Sequence, residues 1–176
     1  ELLARGMTNK QIAEALVIED IRSAADQLQP VFSQTEGRDG RVSIELPPEL
    51  AYDFERTVSE AMSLRARVER PNALIKVPAT REGVAAFQEL TSRGYSINVT
   101  LIFSLERYRQ VMEAYLSGLE SLHARRAEGE ERVVLSEVRS VASFFVSRVD
   151  TAVDGRLDSL AEEADSAGKP ASEGDR

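Results

Sequence analysis

Cysteine does not occur in this chain, and histidine occurs once, at His123. Without thiols there is no disulfide framework, no thiolate metal site and no cysteine nucleophile. One imidazole is too few for a histidine-built metal centre and argues against a catalytic triad. Long apolar runs are lacking too. No stretch approaches the roughly 20 residues needed to cross a bilayer, and no basic-then-apolar leader opens the chain. The expectation is a cytoplasmic protein. Positive charge is in deficit, with 22 Lys and Arg against 30 Asp and Glu and a net charge of −8. That balance argues against a general nucleic-acid or anionic-membrane binder, since both need a positive surface to displace counterions from phosphates. It leaves room for a few arginines focused on one sugar phosphate.

What is present is the composition of an ordinary folded chain: 42% hydrophobic and 30% charged over 176 residues, the size of one domain or one piece of a fold. The chain begins at Glu1 rather than a methionine and enters a helical pattern at once, which reads as a fragment.

Short runs rich in branched residues alternate with longer segments of helical periodicity, the signature of parallel βαβ units. Strands are expected over Arg41 to Leu46, Ala73 to Val77, Ser96 to Ile102 and Val138 to Phe145. Helices are expected over Leu50 to Val68, Arg81 to Ser92, Leu105 to Leu122 and Ser147 to Ala164. Thr8 to Phe32 also reads as helical, broken into two pieces near Val17 to Glu19. The turn Glu36-Gly37-Arg38-Asp39-Gly40 leads into the first strand, Pro47-Pro48 stops it, and Arg93-Gly94 ends a helix. His123 to Glu131 reads as a surface loop, with His123 a solvent-exposed helix-end residue of no assigned role. Residues 1–165 are expected to be a partial barrel, and Ser166 to Arg176 a disordered tail.

Parallel strands covered by helices are normally near-continuous hydrophobic runs, so polar residues among them need a reason. Alternation puts Val42, Ile44 and Leu46 on one face and Ser43 and Glu45 on the other. Lys76 opposes Ile75 and Val77. Ser96, Asn98 and Thr100 oppose Ile97, Val99 and Leu101, and Ser143 and Phe145 share a face of the fourth strand. In a barrel of parallel strands the helices take the outer face, so these polar residues converge inside. They sit towards the carboxyl ends of the strands, where such barrels keep their active sites. An amine removed from water there is available as a nucleophile for imine formation on a carbonyl. Glu45 would move protons, while Asn98 and Thr100 hold hydroxyls or a water. No metal is required. The structural alternative is an edge lysine with its head in solvent, or a Glu45–Lys76 ion pair that only fills the barrel. Ser143 as a backbone-bonded serine and Arg148 as a solvated helix arginine are the corresponding bland readings.

The string Leu74-Ile75-Lys76-Val77-Pro78-Ala79-Thr80-Arg81-Glu82-Gly83 closely resembles the Schiff-base lysine strand and following loop of transaldolases. Asn98-Val99-Thr100-Leu101-Ile102-Phe103-Ser104 resembles the next strand of that family. Val141-Ala142-Ser143-Phe144-Phe145-Val146-Ser147-Arg148-Val149-Asp150 resembles the strand and helix start that meet the substrate phosphate. Val42-Ser43-Ile44-Glu45 is similar to the strand bearing the family's proton-transfer glutamate. The wording is closest to the actinobacterial branch, and the motifs together cover nearly the whole chain.

The resemblance implies a (β/α)8 TIM-barrel fold of α/β class, of which about four central βα units are present here. It implies that Lys76 forms the imine, and that Glu45 does acid–base work through a water that Thr100 helps to hold. Asn98 would bind a hydroxyl of the dihydroxyacetone moiety, Ser143 and Phe145 would line the donor site, and Arg148 would hold phosphate. The implied substrates are the sugar phosphates of the pentose phosphate pathway: fructose 6-phosphate, sedoheptulose 7-phosphate, erythrose 4-phosphate and glyceraldehyde 3-phosphate. No cofactor is implied, because the imine nitrogen is itself the electron sink. Two family features do not occur upstream of Lys76, an aspartate for the substrate hydroxyl proton and an Asn-Pro-Thr loop. The last two strands, with a second phosphate-binding arginine, are missing as well. An open half-barrel would expose two strand edges, so these residues alone are expected to be inactive and poorly folded.

A second resemblance competes at the start of the chain. Leu2 to Leu16, with Thr8-Asn9-Lys10-Gln11-Ile12-Ala13-Glu14, is similar to the first helices of a response-regulator helix-turn-helix. A recognition helix with basic or amide side chains should then follow a short turn. Val17 to Asp26 is acidic instead, and the alternative is that Thr8 caps a helix whose Ile12, Leu16, Ile21, Ala25 and Leu28 pack outside a barrel.

Overall fold

The structure is a computed structural model that describes residues 6–127 and 134–166. It separates into two compact units, residues 1–143 and 144–176.

In the first unit, four parallel strands form one sheet in the order β1-β2-β3-β4. They are β1 (Val42–Glu45), β2 (Ala73–Pro78), β3 (Ile97–Thr100) and β4 (Val141–Ala142). Helix α1 (Asn9–Gln34) precedes the sheet, and α2 (Phe54–Val68), α3 (Arg81–Ser92) and α4 (Leu105–Ala127) fill the crossovers between successive strands. Sequential parallel strands alternating with helices are the repeating unit of a (β/α)8 barrel, present here as about four units.

One face of the sheet builds the core. Ile44, Ala73, Ile75, Val77, Ile97 and Val99 are each at most 5% exposed and pack with Val58, Leu64, Phe87 and Leu90 of the helices. Close approach makes this possible at Gly118 of α4, where a methyl group would lie 2.6 Å from Thr91 Cβ of α3. Asn72, fully buried at the mouth of β2, donates through Nδ2 to Ala25 O (2.7 Å) and Gly40 O (2.9 Å). That amide ties α1 and the turn before β1 to the sheet.

The structure corrects the expected boundaries in four places. First, α1 is one uninterrupted helix through Val17 and Glu19, opened by a capping box between Thr8 and Gln11. The β-branched pair Val17-Ile18 lowers helix propensity only slightly, and burial of Ile18 on the core outweighs it. With no turn inside it, α1 is not a helix-turn-helix. Second, α4 runs five residues past Leu122 to Ala127, its last turn carrying Arg125 and Arg126, which suit the negative end of the helix dipole. His123 is an exposed position within that helix; residues 128–131 of the expected loop lie outside the described residues. Third, β4 shrinks to Val141–Ala142, with a 3₁₀ turn at Leu135–Glu137 ahead of it. Fourth, β3 stops at Thr100 because Leu101 has φ 62°, a left-handed backbone that cannot continue a strand.

The described residues of the second unit form one helix, α5 (Val146–Ser166), whose N-terminal approach includes Phe145. Ser166 closes α5, and residues 167–176 of the expected tail lie outside the described residues.

Candidate active site on the polar face of the sheet

The face of the sheet opposite the core collects the polar residues. Strand register sets Glu45 beside Lys76 and Lys76 beside Asn98, so three neighbouring strands place a carboxylate, an amine and an amide in one row. Lys76 Nζ lies 2.5 Å from Glu45 Oε1, with the lysine side chain 20% exposed and the glutamate 66%. The lysine side chain is thus mostly covered, while the carboxylate beside it reaches solvent.

Asn98 is held from both sides. Its Nδ2 donates to Ser43 Oγ of β1 (2.9 Å), and its Oδ1 accepts from Ser143 Oγ just after β4 (2.6 Å). Both hydroxyls can reverse their roles, so the network fixes the plane of the amide. One N–H of Asn98 remains for another acceptor. Ser143 is positioned by its own backbone, whose N–H donates to Val99 O (2.8 Å). Sequence reasoning named Ser43 only as a member of this face; its bond across β2 to Asn98 is the added role. The periodicity of two was the signal for the face, but a contact spanning a strand has no local signature.

Thr100 stands at the last position of β3, and its Oγ1 is buried with no hydrogen-bond partner among the described residues. A buried hydroxyl left unpaired costs about 1–3 kcal/mol unless a further polar atom meets it. The strained turn at Leu101 follows it directly. Meanwhile Thr100 O accepts from Ala79 N (2.7 Å), tying the end of β3 to the loop after Lys76.

That loop is built to close tolerances. Thr80 caps α3 by accepting from Gly83 N (2.9 Å) and donates its hydroxyl to Ala51 O (2.5 Å). Gly83 has no alternative, since a Cβ there would sit 1.9 Å from Pro78 O. Pro78 is two residues beyond the lysine, so the glycine lets α3 begin hard against the end of β2.

In the second unit, the guanidinium of Arg148 stacks 4.4 Å above the ring of Phe145 at the start of α5. Lys76, Glu45, Asn98, Thr100 and Ser143 are therefore brought together in the first unit, and Phe145 with Arg148 in the second. Among the described residues no cluster of three or more His, Cys, Asp or Glu is placed to hold a metal ion. Nor is any described helix long and apolar enough to cross a membrane.

Known proteins resemble the chain along nearly its whole length. The family model for Transaldolase/Fructose-6-phosphate aldolase matches residues 1–173. The chain is 52% identical over 160 residues to Transaldolase 2 of Streptomyces avermitilis, covering 91% of this chain and 41% of that protein. It is 53% identical over 163 residues to the transaldolase of Thermobifida fusca (93% and 43%), and 49% identical over 160 residues to that of Mycobacterium bovis (91% and 41%). The chain thus spans about two-fifths of the length of these curated relatives. A match along nearly every residue, on a chain whose sequential parallel strands set a lysine beside a carboxylate, places it in the transaldolase/fructose-6-phosphate aldolase family.

Proposed function

We propose that the protein is a transaldolase that moves a dihydroxyacetone unit from a ketose phosphate to an aldose phosphate through an imine on Lys76. The observation that carries this reading is the Lys76–Glu45 contact of 2.5 Å beside Asn98. A purely structural ion pair would explain the contact but not the buried, unpartnered hydroxyl of Thr100 on the same face.

In this mechanism Lys76 Nζ adds to the C2 carbonyl of fructose 6-phosphate or sedoheptulose 7-phosphate. The resulting carbinolamine loses water to give an imine. Glu45, acting through a water that Thr100 helps to hold, supplies and removes the protons of that exchange. The C3–C4 bond then breaks, its electron pair passes to the imine nitrogen, and the C4 hydroxyl proton leaves as the aldose departs. The three-carbon enamine left on Lys76 attacks the aldehyde carbon of erythrose 4-phosphate or glyceraldehyde 3-phosphate, and hydrolysis releases the new ketose. Asn98 holds a hydroxyl of the three-carbon unit with its remaining N–H, alongside Ser143; Phe145 is assigned to the donor site by the family resemblance. Arg148, pre-oriented on the Phe145 ring, receives the phosphate.

No group in residues 1–176 is assigned the C4 hydroxyl proton. The reading puts that base, and a second phosphate-binding arginine, on barrel strands outside this sequence. The test is a coupled assay on the intact protein with fructose 6-phosphate and erythrose 4-phosphate. The expected result is sedoheptulose 7-phosphate formation that Lys76→Met abolishes; turnover that survives the substitution would refute the imine route.

A further inference from the structure

A large cleft lies away from Lys76. It lies at the opposite, amino-terminal edge of the sheet, with a volume of about 1000 Å³. Its lining includes Arg41 immediately before β1, Arg139 before β4, and Arg65 in the last turn of α2. For a chain of net charge −8 this is a local reversal of sign. Arg93 also lines the cleft but is neutralised by Glu89 at 2.6 Å. Of the carboxylates on the wall, Glu69 is engaged by Arg22 (3.1 Å) and Glu36 by Arg38 (3.9 Å), and Glu137 is the third.

Arg41, Arg65 and Arg139 differ from the other lining arginine. Among the described residues none has a carboxylate within ion-pair distance. Each is instead fixed through one edge by a backbone carbonyl: Arg41 Nε by Gly37 O (3.0 Å), Arg139 Nε by Ser136 O (2.9 Å), and Arg65 Nη1 by Arg70 O. Arg41 is further held over the Phe32 ring at 5.1 Å. Fixing a guanidinium by one edge leaves its other N–H groups for a further acceptor. Arg139 Nη1 is buried without a partner among the described residues. An unpaired buried cationic donor is costly, and like charges gathered in one cleft add to the cost unless an anion shares it. Consistent with that, burial and then the neighbouring Arg139 and Arg65 push the Arg41 guanidinium below the usual arginine range, and burial does the same to Arg65.

We infer that Arg41, Arg65 and Arg139 form a binding site for a tetrahedral phosphate dianion at the amino-terminal edge of the sheet, remote from the imine-forming lysine. Forked donors on three elements suit the oxygens of one phosphate group. The group could belong to free inorganic phosphate or to a phosphorylated metabolite, and in either case the site would stabilise the fold in proportion to occupancy. It does not depend on the proposed reaction.

The test is thermal unfolding of the intact protein in sodium phosphate, against sodium chloride at matched ionic strength. A parallel arm uses glycerol 2-phosphate as a phosphomonoester. The expected result is a rise in Tm with phosphate beyond that with chloride. The rise should persist in Arg148→Gln, which probes the other phosphate position, and be lost in the double variant R41Q/R139Q. The response of each protein is read as its Tm in phosphate minus its own Tm in chloride, so a changed baseline in the double variant does not enter the comparison. Should it fail to fold, Arg41→Lys keeps the charge but not the fork, and a reduced phosphate response there carries the same weight. A response to the ester as strong as to the free anion identifies a metabolite site; a response to phosphate alone identifies a free-anion site. No rise over chloride in wild type, or an equal rise in R41Q/R139Q or in Arg41→Lys, overturns the inference.

Discussion

Lys76 and Glu45 are register partners on adjacent parallel strands, and their side chains meet at 2.5 Å. The backbone, not a flexible reach, brings them together, so the carboxylate is positioned wherever the strands pair. If Glu45 is the proton carrier for the amine, Glu45→Gln keeps the shape and removes the function. The expected loss in kcat is about 10²–10⁴-fold, the usual contribution of a positioned acid or base. Because the carboxylate is 66% exposed, Tm should barely move. Near-normal turnover with a lowered Tm would assign the pair a structural role.

Thr100 permits a test in which stability and activity move in opposite directions. Its Oγ1 is buried without a partner, so Thr100→Val removes an unsatisfied group at nearly constant volume. Stability should hold or rise by about 1 kcal/mol, while kcat falls about tenfold, the equivalent of about 1.4 kcal/mol of lost transition-state stabilisation. Denaturant unfolding and steady-state kinetics on the same preparation check both. A variant that is less stable and equally active would show the hydroxyl to be structural.

How far these groups could be read from the sequence differs from element to element. Helix α3 was expected over Arg81 to Ser92 and is found there, because Thr80 caps it and Arg93-Gly94 ends it, both local signals. The row Glu45, Lys76, Asn98 followed from a period of two. What escaped were properties set by distant partners. Val138 to Phe145 has the branched composition of a strand, yet only Val141 and Ala142 pair, since β3 offers a ladder only as far as Thr100 before Leu101 turns away. The Asn72 amide looks like a turn residue in sequence and proves to be a buried clamp on Ala25 and Gly40, residues far from it along the chain. The arginine cleft has no motif, because Arg41, Arg65 and Arg139 converge only when the sheet forms.

Two glycines should respond oppositely to the same substitution. At Gly83 a methyl group would collide with Pro78 O, so Gly83→Ala should cost about 1–3 kcal/mol or more and lower kcat by shifting the end of β2. At Gly155 within α5 nothing lies within 4 Å, and Gly155→Ala should stabilise by about 0.5–1 kcal/mol through helix propensity alone. Calorimetry on the two variants decides; equal effects would contradict the close approach at Gly83.

Acid sensitivity should have an identifiable source at the α1–α2 contact. The hydrogen bond from Arg67 (2.8 Å), with its charge, holds the Glu14 carboxyl below its usual value despite some burial. A depressed carboxylate adds stability that is present above its ordinary value of 4.5 and lost as pH falls through the lower folded value. Arg67→Gln should therefore lower Tm near neutrality and flatten its decline below about pH 4.5. Parallel Tm curves for the two proteins across that range would remove Glu14 from the account.

The central claim is that the Lys76 nitrogen bonds to a ketone carbon, and covalent trapping tests it most directly. The intact protein is incubated with fructose 6-phosphate, reduced with borohydride, digested and mapped by mass spectrometry. A three-carbon dihydroxyacetone-derived adduct on the peptide containing Lys76, and its disappearance in Lys76→Met, is the predicted result. An adduct on another lysine, or none from a preparation that turns over, would contradict it.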